Sequence, residues 1–84
     1  MFILYGLDSC SHCKRAINIL KILKEKHKIP YEVYNMRDNR EKEYYKKKNN
    51  MRTFPQIFFY KKMENENQMI KIGGADDLER LVFK

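Results

Sequence analysis

Apolar residues along this chain fall into short clusters whose spacing changes from one cluster to the next. Phe2-Ile3-Leu4-Tyr5 is an unbroken apolar run of the kind that forms a strand buried on both faces, and Gly6-Leu7-Asp8-Ser9 reads as the loop leaving it. From Ser11 to about His27, Ala16, Ile17, Ile19, Leu20, Ile22 and Leu23 make a broad helical stripe opposed by lysines 14, 21, 24, 26 and 28. Ile29-Pro30 ends that helix. Tyr31 to Met36 sets two aromatic residues around a β-branched one and predicts a second strand. Strand, helix and strand within about 35 residues make a parallel βαβ unit. Asp38 or Asn39 then caps a strongly polar helix reaching about Asn49, with Tyr44, Tyr45 and Met51 as its few anchors. Ile57-Phe58-Phe59-Tyr60 is the most apolar run and predicts a central strand, and Met69-Ile70-Lys71-Ile72 predicts an antiparallel return. Gly73-Gly74 breaks it. A last short helix starts at Ala75-Asp76-Asp77-Leu78, with Asp76 and Asp77 as cap and first-turn acids and Leu78, Leu81 and Val82 facing inward.

The only two cysteines lie in Cys10-Ser11-His12-Cys13, where the first strand gives way to the first helix. At offsets of three and four, Cys10, Cys13, Ile17 and Leu20 share one helix face. Neighbouring Cβ atoms on such a face are roughly 5–6 Å apart, so a disulfide between them needs a modest adjustment of the first turn. Cys10, at the helix mouth, meets unpaired backbone N–H groups and the positive end of the dipole, which makes it the expected nucleophile. Lys14 and Arg15 add positive charge nearby and Asp8 opposes it. Cys13, one turn further in, is expected to be buried and held as a thiol that attacks a mixed disulfide at Cys10. Tetrahedral zinc needs four ligands, and beyond the two cysteines the chain offers only His12 and His27 of the usual kind, so no metal site is expected. A structural disulfide closing so short a loop removes little unfolded-state entropy. Redox chemistry is left.

Composition narrows the setting. Eighty-four residues with 18 lysines and arginines against 11 acids give a net charge of +7, spread along the chain. That raises anionic partners, but the Lys46-Lys47-Lys48 run has no interleaved aromatic residues and reads as a solvated helix end, so nucleic acid is not expected to be the partner. No stretch approaches the ~20 apolar residues of a membrane span, and the apolar start lacks the charged lead of an export signal. The expectation is one domain over residues 1–84, monomeric and cytoplasmic, with no membrane role.

The order βαβ, helix, β-hairpin, helix, with the cysteine pair at the first helix, resembles the glutaredoxin branch of the thioredoxin fold. Three motifs carry the resemblance: Leu4-Tyr5 through Cys13, Thr53-Phe54-Pro55-Gln56-Ile57-Phe58, and Ile72-Gly73-Gly74-Ala75-Asp76-Asp77-Leu78. It implies an α/β fold with a central four-stranded mixed sheet flanked by helices. It also implies a glutathione-dependent thiol–disulfide oxidoreductase with catalytic Cys10 and Cys13, no tightly bound cofactor, and glutathione as co-substrate. Its partners would be glutathione and glutathionylated or disulfide-containing proteins. Pro55 would be cis and face the cysteines, and the Phe54 backbone would pair with the cysteinyl part of glutathione. The Gly73-Gly74 stretch would admit close approach, the N–H groups around Ala75 to Asp77 would take the γ-glutamyl carboxylate, and Asp76 or Asp77 would hold the ammonium. His12, Arg52 and Thr53 complete the implied binding set.

The chain departs from the family pattern in places. A lysine common a few residues before the first cysteine is replaced by Leu7, and Arg37, Arg52 or Gln56 would have to compensate for its contact with the glycine carboxylate. Ser11-His12 replaces the usual Pro-Tyr, and Ser11 could then donate a hydrogen bond to the Cys10 sulfur. Two alternatives follow from the same resemblance: a form holding a [2Fe–2S] cluster between protomers, and a redoxin reduced by thioredoxin reductase that donates electrons to ribonucleotide reductase.

Overall fold

The computed structural model describes residues 1–83. Its elements are β1 (Phe2–Leu7), α1 (Ser11–His27), β2 (Tyr31–Met36), α2 (Asn39–Asn49), β3 (Gln56–Lys62), β4 (Asn67–Gly73) and α3 (Ala75–Val82). The sheet has four strands in the order β2-β1-β3-β4. β1 runs parallel to β2, with Phe2 opposite Tyr31 and Leu7 opposite Met36. It runs antiparallel to β3, with Leu4 opposite Ile57, and β3 and β4 form the hairpin. This is the thioredoxin-like architecture of the glutaredoxins, with its mixed sheet flanked by three helices.

The core lies between the sheet and the α1–α3 pair. Leu4, Ala16, Ile57 and Leu78 are 0 % exposed and Leu20 is 1 %, so the first strand, the long helix, the central strand and the last helix meet at one cluster. Because strand side chains alternate, Tyr5 points to the other face. There it stacks on Tyr45 of α2 at 4.7 Å between centroids and on Tyr34 of β2 at 5.7 Å. α2 contributes no buried residue, and this aromatic stack is a main part of its hold on the sheet.

Several boundaries differ from the sequence expectation. β1 continues through Gly6 and Leu7, expected as loop, because both pair with β2 in the parallel ladder. β3 and β4 extend into polar residues, Lys61 and Lys62 opposite Gln68 and Asn67, since ladder hydrogen bonding needs backbone and not apolar side chains. On α1, Ile22 is 39 % exposed and lies at the edge of the stripe. On α3, Leu78 is buried and Val82 packs on the core, whereas Leu81, expected to face inward, is 54 % exposed. The N-cap of α3 is Gly74 and not an aspartate. α2 is capped by Asp38, whose side chain accepts from the Glu41 N–H at 2.9 Å.

Candidate active site

The site is assembled where the end of β1, the first turn of α1, the turn before β3 and the Gly73-Gly74 entry to α3 converge. Cys10 is the N-cap of α1, in extended conformation, and the Cys13 N–H donates to its Sγ at 3.3 Å. It is Cys13, and not the Ser11 hydroxyl, that donates to this sulfur. Cys10 is half-buried and Cys13 is 1 % exposed. Burial pushes the Cys13 thiol up to about 12, and its hydrogen bond to Cys10 acts in the same direction. The buried sulfur is thus a neutral thiol at physiological pH. Gly6 lies close by: a Cβ there would stand 3.0 Å from Leu4 Cδ2 and 3.3 Å from Asn35 Oδ1, both tight, and in ordinary contact with Cys13 Sγ at 3.5 Å.

Beside the cysteines runs a groove of about 640 Å³. Every binding residue implied by the sequence lines it: His12 from α1, Arg52, Thr53, Phe54 and Pro55 from the turn before β3, and Gly74, Ala75, Asp76 and Asp77 from the start of α3. The Phe54–Pro55 bond is cis. Neither cysteine is part of the lining, which approaches the pair through His12. Gly73 adopts φ +120°, a conformation side chains disfavour, and a Cβ there would run into the Asp77 carboxylate. At the α3 end no side chain caps the first-turn N–H groups, which leaves them available to an anion.

The two aspartates are already partnered. Asp77 Oδ2 accepts from the Gly74 N–H at 2.9 Å and Oδ1 from Arg80 at 2.5 Å. These bonds, the backbone one first, hold its carboxyl below the usual carboxylate range. Asp76 accepts from Arg15 at 2.5 Å, and Arg15 also lies 3.3 Å from Glu79, so α1 is strapped to α3 across the groove floor.

Lining residues absent from the sequence expectation are Arg15, Met51 and Lys71. Lys71 Nζ donates to the Asn49 and Asn50 carbonyls, both at 3.2 Å, and so places an ammonium against the C-terminal end of α2. A lysine at mid-strand gives no hint of this, because the contact depends on how the hairpin lies against α2. Of the residues proposed to compensate for Leu7, only Arg52 lines the groove. Gln56 is 0 % exposed, with its Oε1 accepting from Asn49 Nδ2 at 2.8 Å, and Arg37 is turned to Glu41.

An N-cap cysteine with a buried partner one turn later, on this mixed sheet, defines a thiol–disulfide exchange site of the thioredoxin-like class. The family model described as Glutaredoxin matches residues 2–63. Among solved structures the chain is similar to an E. coli glutaredoxin, with a TM-score of 0.57 and 22 % identity, over 96 % of this chain and 91 % of that one. No curated protein sequence matches the chain. The chain belongs to the glutaredoxin family, and its activity is that of a thiol oxidoreductase.

Proposed function

We propose that the protein uses glutathione to reduce glutathione mixed disulfides and protein disulfides, with Cys10 as nucleophile. The observation that carries this reading is the groove itself. It joins a cationic wall, Arg52 and Lys71, to an α3 start with free N–H groups, and so suits an extended peptide with a carboxylate at each end. In the reaction the Cys10 thiolate attacks the glutathione sulfur of a mixed disulfide. The new S–S bond forms as the old one breaks, and the substrate thiolate leaves and takes a proton from solvent. A second glutathione thiolate then attacks the sulfur of the bound glutathione, releasing oxidised glutathione and restoring the Cys10 thiolate. For a protein disulfide, Cys10 first attacks one sulfur, forming a mixed disulfide as the protein's S–S bond breaks and its other sulfur leaves as a thiolate that takes a proton from solvent. Cys13, giving its proton to solvent, then attacks the Cys10 sulfur, so that the second substrate sulfur leaves and takes up a proton and the Cys10–Cys13 disulfide remains for glutathione to open. In this reading Arg52 and Lys71, both on the groove wall, hold the glycine carboxylate in place of the lysine replaced by Leu7.

The test is NADPH oxidation coupled through glutathione reductase, with a small glutathione mixed disulfide as substrate. Wild type and Cys13→Ser are expected to turn over and Cys10→Ser to fall to background, at least 100-fold lower on the order of lost nucleophilic catalysis. Residual activity in Cys10→Ser would reassign the nucleophile. An inactive wild type would remove glutathione as the reductant.

A further inference from the structure

Beyond the groove, at the C-terminal end of α2, lies a second pocket of about 410 Å³ lined by Lys46, Lys47, Asn50, Met51 and Arg52. Met51 and Arg52 also line the groove, so the two adjoin. No carboxylate lines this pocket. Among the described residues Lys47 and Arg52 form no ion pair, and Lys46 has one, with Glu43 at 3.5 Å along its own helix. The acids on the opposite wall differ, since Asp76 is paired with Arg15 and Asp77 with Arg80. This pocket, outside the groove, therefore holds cationic charge that the protein itself leaves unmatched.

This charge also sits on a fixed support. Asn49 is bonded to the fully buried Gln56 behind the cis proline, and Lys71 Nζ donates to the Asn49 and Asn50 carbonyls, which offsets the negative end of the α2 dipole beside the pocket. No aromatic ring lines the pocket, so there is no stacking surface for bases. Of the two tyrosines near Lys48, Tyr45 belongs to the stack on Tyr5 and Tyr44 meets Tyr45 edge-on.

We propose that the Lys46–Lys47–Arg52 pocket docks an acidic segment of the protein substrate, so that cysteines flanked by Asp or Glu are reduced in preference to others. The proposal rests on the glutathione reading for its turnover assay but not for the docking itself. Electrostatic complementarity of this kind acts mainly on encounter and partner choice, and it weakens with salt.

Three glutathionylated peptides of equal length, with acidic, neutral or basic residues around one cysteine, would be assayed with wild type and Lys46→Glu/Lys47→Glu. In wild type, kcat/KM is expected to follow acidic > neutral > basic, with about a 10-fold span at low salt that shrinks at high salt. In the double variant the order should reverse, while turnover of the small mixed disulfide, which also reports on folding, stays unchanged. Equal kcat/KM for the three peptides in wild type, or an order the double variant does not alter, would overturn the proposal. Fluorescence anisotropy with a cysteine-free acidic peptide keeps the two readings apart. Binding lost in the double variant, with no turnover by either protein, would fail the glutathione reading alone, and turnover without wild-type binding would fail docking alone. A single-stranded oligonucleotide that binds more tightly than the peptide, with the same dependence on Lys46 and Lys47, would overturn the assignment of a protein segment.

Discussion

Asp77 closes the start of α3 from the inside. With Gly74 at the cap there is no side chain to turn back, so the residue at the third helical position accepts the Gly74 N–H. That bond and Arg80 favour the charged form, so the folded-state pKa lies below the ordinary carboxylate value. The stabilisation from Asp77 is accordingly complete above that ordinary value and is lost as pH falls through the lowered one. Asp77→Ala is expected to cost about 0.5–1 kcal/mol at pH 7, the lower part of the capping range because the group is partly exposed and screened. Urea unfolding at pH 7 and pH 3 should show the deficit closing in acid; an equal deficit at both would deny the carboxylate its role. Gly73 and Asp77 are chosen together, since any Cβ at 73 would occupy the carboxylate's position. The sequence marks both as special without saying which one caps.

At the scale of elements, the two leucines of α3 separate core from surface. Leu78→Ala should cost about 2–5 kcal/mol, and Leu81→Ala should stay within about 0.5 kcal/mol. Against a total stability of roughly 5–10 kcal/mol for a domain of this size, only the first should move the urea midpoint far. Similar midpoints for the two variants would contradict the packing described. The inward placement of Leu81 failed because eight residues are too few for apolar spacing to fix the phase of a helix. The 17 residues of α1 gave its bounds without error, helped by Pro30 at one end and the cysteine turn at the other. Strand limits were less legible, as Lys61 and Lys62 join β3 through backbone alone. Nor could residue spacing reveal the register shift at Ile57/Phe58, which sets the hairpin off alternation just before Gly73.

For the whole molecule, the buried Cys13 thiol ties stability to alkaline pH. Its ordinary value of 9.0 is raised to about 12 in the fold, so its contribution is intact below pH 9 and is lost as pH rises from 9 towards 12. Under reducing conditions, the stability difference between wild type and Cys13→Ala at pH 7.5 should change in favour of the variant by pH 11. A difference constant across that range would mean that the thiol does not titrate with unfolding. The candidate site was legible where it follows from contiguous motifs, at Cys10 to Cys13, Thr53 to Pro55 and Gly74 to Asp77. It was not legible where it depends on distant chain segments meeting, as with Arg15 and Asp76, 61 positions apart, or Lys71 and the end of α2. α2 itself buries no side chain, while the sulfurs and the core belong to the opposite layer. Its outward charges can therefore be rewritten with little effect on folding or on the reacting thiols, and under the docking proposed above this helix becomes an exchangeable faceplate through which one redox scaffold is readdressed to new clients by evolution or by design.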